Sequence, residues 1–446
     1  MKMKNLKTLV GIMAIIMVAV LSGCGSKASK TKTFAEWSEV ALFQDVPAMV
    51  VEGAQISDEG DCGAGNYLIK VEGTKKSDYE AYLKTLEEAG FEKYVDNGEG
   101  LDGAVFNTIF KKGDVVLTVV HMDKSQQTHI TVGEGQSLSK HLFYDDSYVA
   151  NNIEGAQTKL HMVELYYFGS SFIIQLKDGH FIINDGGTEY DTPYLFDYLE
   201  ELAPTGTKPV VDAWIVSHAH YDHIRVIDPI IKDNSYADRI YVEGFYFNEP
   251  GEEVNSIENV TTDILNLEGI RSILKTTEGG QPEMYRMHTG ERYYFNDITM
   301  DVVLTQEQIP LETYEDGYNE TSTWVMFTME GQTTLITGDA GPAGMAQVMA
   351  NYSQDYLTMN IFSAAHHGHN TRGDFTKYCT VKDVVLYSER NFAGGGANTA
   401  LREQAAESFI YGDGTKILTF PYTTGTVQSL PCNTWKYHAG QTRPSL

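Results

Sequence analysis

Six consecutive positions carry three histidines and one aspartate, within Ser217-His218-Ala219-His220-Tyr221-Asp222-His223. The residues before them, 210–216, are apolar apart from Asp212 and read as a buried strand. The cluster therefore falls where a strand ends and the chain turns, the place at which open α/β sheets hold their ligands. Imidazole nitrogen and carboxylate oxygen suit zinc and its neighbours. In a turning backbone His218 and His220 share one face, while Asp222 and His223 lie beyond the turn and reach a second point. One short segment can thus serve two metal positions. The bland alternative is a polar loop rich in histidine. Against it stand the four fixed positions of His-x-His-x-Asp-His and further candidate ligands downstream.

The chain has 446 residues, long enough for more than one domain. Its 33 Lys+Arg against 61 Asp+Glu give a net charge of −28, which argues against a general nucleic-acid binder. A small phosphorylated substrate held through metal ions stays open, because the ions are the largest local charges in such a site. Residues 1–24 read as a leader: Lys2, Lys4 and Lys7 precede an apolar run, 9–21, that is short for a membrane span. Leu21-Ser22-Gly23-Cys24 resembles a bacterial lipobox, with Cys24 the lipidated residue. Residues 25–33 read as a flexible linker. The expectation is a protein anchored to the membrane outside the cytoplasm. Cys62, Cys379 and Cys432 leave any disulfide pairing open.

Residues 34–150 read as a small α+β domain, with a helix over 77–89 and strands over 105–110, 115–121 and 129–132. His121 and His129 read as strand residues there. Residues 155–446 show a strand-helix rhythm. Strands are expected over 160–168, 171–176, 180–184, 210–216, 299–304, 323–329, 333–337, 358–364, 381–387 and 416–420. Helices are expected over 194–202, from 224, over 261–274, 343–351 and 400–409. Three strand ends in this half carry candidate ligands: the 218–223 cluster, Asp339, and His366 with His367.

The motifs Asn184-Asp185-Gly186-Gly187, His-x-His-x-Asp-His, Thr337-Gly338-Asp339 and His366-His367-Gly368 together resemble the metallo-β-lactamase superfamily over about 159–421. The last two look most like the branch containing the hydrolase domain of competence (DNA-uptake) proteins and the phosphorylcholine esterases. The resemblance implies an α/β fold, an αββα sandwich, preceded here by the small α+β domain. It implies two zinc ions, with manganese or iron as alternatives. His218 and His220 would bind the first ion, Asp222 and His223 the second. Asp339 would bridge them, and His366 or His367 would complete the second site. One departure stands out: many members place a further first-site histidine between the cluster and the bridging aspartate. Here that interval contains only His288. Asp185 would shape the loop beneath the cluster.

Two cations about 3.5–4 Å apart can share a water and lower its pKa toward neutrality, giving a nucleophile for phosphorus or a carbonyl carbon. Asp222 would orient it, and His369 could donate a proton. The expectation is an extracytoplasmic hydrolase of small-molecule or cell-envelope phosphoesters. A β-lactamase-like enzyme, a nuclease and a non-catalytic surface binding lipoprotein are the rivals. The segment from Phe245 to Arg286 is long enough to cover the site.

Overall fold

The structure is a computed structural model that describes residues 37–258, 260–307, 317–368, 375–377, 379–392 and 396–438. Cys24, the leader and the linker lie outside these residues. Glu36–Leu446 form one compact unit. Among the described residues the strands make three sheets, of six, nine and seven strands.

The six-stranded sheet is antiparallel, in the order Gln55–Asp61, Asn66–Glu72, Gln127–Glu134, Val115–Met122, Val105–Lys112, Glu92–Leu101. Tyr79, Tyr82, Leu83 and Leu86 recur at helical spacing on Lys76–Glu88, and they bury against Ile69, Phe110, Val119 and Ile130 on one face. Leu101, Val105, Val120 and Met122 share a second core with Val303, Leu304 and Trp324 from later in the chain. Asn107 Nδ2 donates to Thr289 O at 2.9 Å across the same junction, and Asn97 Nδ2 donates to Gly290 O at 2.9 Å.

The other two sheets form the body of the fold. In one, Val210–Val216 runs parallel to Phe181–Asp185 and to Gly244–Phe247. In the other, Gln332–Ile336, Thr358–Ser363 and Thr380–Tyr387 are successive parallel neighbours. The second sheet alternates with period two. Val302, Val325, Ile361 and Val384 join the core containing Ile173, Ile183 and Ile215 of the first sheet. Their neighbours Val303, Met326, Phe362 and Val385 join the core containing Met345 and Val348 of helix Pro342–Asn351 and Leu401 of Gly396–Gln404. Helix Thr192–Leu202 buries Leu195, Phe196 and Leu199 in the core of the first sheet. The result is a helix-sheet-sheet-helix sandwich. Each such side chain contributes roughly 1.5–3 kcal/mol of burial, and a register slip of one residue would turn a whole strand inside out.

Several elements differ from the sequence reading. The strand expected over 160–168 stops at Met162. Beyond it the chain is held by side chains, with Glu164 accepting from Asn433 N and Thr434 Oγ1, each at 2.9 Å. The helix from 224 is broken into short turns, the last of them, Asp228–Lys232, with Pro229 in its first turn. The helix over 400–409 ends at Gln404, and Glu407–Ile410 instead adds a parallel strand beside Val384–Tyr387. Among the described residues no disulfide joins Cys62, Cys379 or Cys432.

Candidate metal centre

Four chain segments converge at the ends of parallel strands. Phe181–Asp185 delivers Asp185, and Val210–Val216 leads into His218. Gln332–Ile336 leads into Asp339, and Thr358–Ser363 into His366 and His367. The turns are tight. Gly338 has φ +56, and a Cβ there would meet Ser217 Cβ at 2.9 Å. Both His366 and His367 also sit at positive φ, 50° and 56°. Such backbone is costly for a side-chain-bearing residue and persists where its surroundings hold it.

Asp339 Oδ2 is the hub. It lies 3.2 Å from His223 Nε2, 3.3 Å from His367 Nε2, 3.8 Å from His366 Nε2 and 4.0 Å from His218 Nε2. Asp222 Oδ2 is 3.2 Å from His367 Nε2 and 3.9 Å from His223 Nε2. Asp222, His223, Asp339 and His367 are all buried, and one ligand atom from each lies within 4.8 Å of the others. His218 Nε2 and His220 Nδ1 face each other at 3.0 Å. His367 thus groups with Asp222 and His223, while the half-buried His366 approaches Asp339 at 3.8 Å. His369 lies outside the described residues.

Asp185 organises the inner wall. Fully buried at φ +60, it accepts from Ser217 N at 2.8 Å and from Ser217 Oγ at 2.9 Å. It also stands 2.9 Å from His223 Nδ1. That contact puts the His223 proton on Nδ1 and turns its Nε2 lone pair toward Asp339.

The electrostatics match a cation-binding centre. Burial keeps His218 well below the usual histidine range, helped by the neighbouring charges of His223 and His220. Burial lowers His223 too, yet Asp339, Asp185 and Asp222 raise it well above that range. Burial likewise opposes the shift at His367, which Asp339 and Asp222 push up to about 10. Burial would raise Asp339, but the His223 and His367 charges hold it well below the carboxylate range. His223 Nε2 and His367 Nε2 are buried and face these carboxylates without the alignment of a hydrogen bond. Buried nitrogens aimed at shared carboxylates suit a metal ion, so the residues present fit the group.

Gly169 guards this geometry. Its φ is +130, and a Cβ there would lie 2.2 Å from Asp222 O. Gly169→Ala is expected to lose about 1–3 kcal/mol of stability and to loosen the Asp222 loop, read as a lower unfolding midpoint and reduced metal retention. Unchanged values for both would mean that the loop tolerates the side chain.

His288, the one histidine between the cluster and Asp339, bonds Glu307 Oε1 at 2.8 Å through Nδ1. Sequence reasoning also missed Glu258, whose Oε2 is 2.8 Å from His220 Nε2. It lies in the segment from Phe245 to Arg286, where no motif singles it out. Beside the centre, Tyr221 is exposed and packs edge-on to Phe168 with ring centroids 5.4 Å apart.

Residues 166–371 match the family described as the metallo-beta-lactamase superfamily. No curated protein matches the chain. Solved structures that resemble it include the following two. Zn(2+)-bound PqqB from Methylobacterium extorquens is 8% identical, with TM-score 0.32, over 58% of this chain and 87% of that one. A beta-lactamase domain protein from Burkholderia ambifaria is 12% identical, with TM-score 0.28, over 60% of this chain and 73% of that one.

Proposed function

With residues 166–371 forming a metallo-β-lactamase superfamily domain, we propose that the chain is a metal-dependent hydrolase that cleaves phosphoester bonds with two zinc ions. One observation carries the reading: Asp339 Oδ2 stands within 4.0 Å of four imidazole nitrogens, from His218, His223, His366 and His367. In this proposal His218 and His220 hold one ion, and Asp222, His223 and His367 hold the other. Asp339 would be shared between the two positions, with His366 beside it. When bound, the ions would lower the pKa of a water and take up charge developing on the substrate oxygens.

The chain's own residues do the rest. Asp185 fixes the His223 tautomer through Nδ1. Asp222 would serve as a ligand, and its carboxylate would also orient the attacking water. In this proposal the exposed Tyr221 ring, edge-on to Phe168, offers a surface against which a substrate can lie. The phosphoester preference rests on the likeness of Thr337-Gly338-Asp339 and His366-His367-Gly368 to the competence-protein and phosphorylcholine-esterase branch. A site surrounded by an acidic chain also favours an anionic substrate only when cations neutralise it. In the same proposal lipid on Cys24 tethers the enzyme to the outer face of the membrane, beside small-molecule or envelope substrates. Among the described residues no helix is long and apolar enough to cross a membrane.

The test is elemental analysis of the purified protein, with turnover of a bis-aryl phosphodiester, an aryl phosphorylcholine and a chromogenic β-lactam. Each is measured before and after chelation. The expected result is two zinc per chain and phosphoester turnover that chelation removes and added metal restores. β-Lactam turnover alone would overturn the substrate class, and no metal with no turnover would overturn the enzyme.

A further inference from the structure

We propose that Glu258 is a positioning residue of this centre, holding His220 in the tautomer that presents Nδ1 to the first metal position. The inference rests on the metal-dependent reading above. A neutral imidazole has one N–H, and the partner of one ring nitrogen decides which nitrogen carries it. Glu258 Oε2 lies 2.8 Å from His220 Nε2, so the proton sits on Nε2 and the lone pair on Nδ1. On the facing side, Ser217 Oγ donates to Asp185 Oδ2 at 2.9 Å and is 3.1 Å from His218 Nδ1. The hydroxyl proton is committed to Asp185, so His218 Nδ1–H donates to the Ser217 oxygen. The lone pair of His218 is then on Nε2. Two lone pairs, His218 Nε2 and His220 Nδ1, face one another at 3.0 Å. They repel unless a proton or a cation stands against both. The two carboxylates, Asp185 through Ser217 and Glu258 directly, set that arrangement from opposite sides.

Glu258 is itself held. Its Oε1 accepts from Tyr318 N at 2.8 Å. The Tyr318 ring lies 5.3 Å from the His220 ring, and its hydroxyl donates to Asn255 Oδ1 at 3.1 Å. Asn255 belongs to helix Glu252–Ile257, which immediately precedes Glu258. The segment between Phe245 and Arg286 therefore closes a loop of contacts around His220, through Asn255, Tyr318 and Glu258. None of the ligand motifs contains this carboxylate. In this proposal the first position gains its rigidity from the segment between Phe245 and Arg286.

The experiment titrates metal-free wild type, Glu258→Ala and Glu258→Gln with Zn2+ against a chromophoric chelator, and with Co2+ by visible absorption. Loss of such an outer carboxylate weakens metal binding about 10–100-fold. Glu258→Ala is expected to weaken one of two metal equivalents by that factor and to leave the other at its wild-type affinity. Glu258→Gln, whose side-chain carbonyl accepts the same N–H, is expected to recover most of the loss. The Co2+ spectrum should change only for the weakened equivalent. Unfolding midpoints of the metal-free proteins show whether each variant is folded, and the Gln variant reads the role even where Ala is not. Two equivalents at wild-type affinity in both variants would overturn the role of Glu258 alone. A wild type that binds no metal would overturn the metal-dependent reading together with it.

Discussion

Asp339→Ala is expected to lower turnover by at least about 10³-fold, since a metal centre supplies several kcal/mol of charge stabilisation and about 1.4 kcal/mol is a factor of ten. The reason is position. Asp339 Oδ2 is the only carboxylate oxygen among the described residues recorded within 4.0 Å of His218, His223, His366 and His367 together. Removing it takes a ligand from both proposed ions and strips His223 and His367 of the largest of the negative charges that offset their burial. Bound metal should fall from two per chain to one or none, measured by elemental analysis after gel filtration. The backbone should hold its course, because the Asp339 amide donates to Ser322 Oγ at 3.0 Å and keeps that bond in the variant. Asp339→Asn separates charge from shape: it keeps the volume and one oxygen, and its loss of metal should approach that of alanine. A variant that retained two metals and wild-type turnover would remove Asp339 from the centre.

How far the sequence discloses this centre depends on whether the chemistry is local. His218, His220, Asp222 and His223 stand in one run, so their density alone marks them. Asp339 and His366-His367 are legible because each follows an apolar strand whose end points to a ligand position. The αββα layering is legible for the same reason, since period-two alternation such as Val302/Val303 and Val384/Val385 sends neighbours to opposite cores. Glu258 is not legible. It lies 38 residues from its partner His220, in a polar stretch with no pattern of its own. The edge strands Gln55–Asp61 and Glu92–Leu101 are similarly silent, since they are largely solvent-facing and carry no apolar alternation. That His367 stands near Asp222 as well as Asp339 needed the backbone, because His366 and His367 share a positive-φ turn that no sequence pattern announces.

Glu307→Ala is expected to destabilise the folded chain by about 3–5 kcal/mol, the cost of breaking a buried ion pair from one side. Glu307 and His288 are 5% and 8% exposed and meet at 2.8 Å. The other Glu307 oxygen accepts from Thr131 Oγ1 at 2.7 Å, which ties the six-stranded sheet to the sandwich. His288 is fixed from behind as well, its amide donating to Glu291 Oε2 at 2.9 Å. Burial alone would raise Glu307, but the charges of His288 and Arg286 and the Thr131 hydroxyl hold it down to about 2, from 4.5. Burial alone would lower His288, but Glu307 and Glu291 raise it above 6.5. The two signs define a window. A depressed carboxylate contributes stability above its unfolded pKa, 4.5, and loses it as pH falls toward 2. A raised histidine contributes fully below its unfolded pKa, 6.5, and loses its contribution as pH climbs through the raised value. The stability difference between wild type and Glu307→Gln should therefore be largest between pH 4.5 and 6.5 and shrink on both sides. Denaturant unfolding of the metal-free proteins across pH reads it directly, and subtracting the variant cancels groups common to both. A difference that stays flat from pH 3 to pH 9 on the pH axis of such an experiment, roughly the span over which both groups titrate, would mean that the pair is not ionised in the folded chain. The junction would then owe its strength to Asn107, Asn97 and the apolar contacts around Leu101 and Val105.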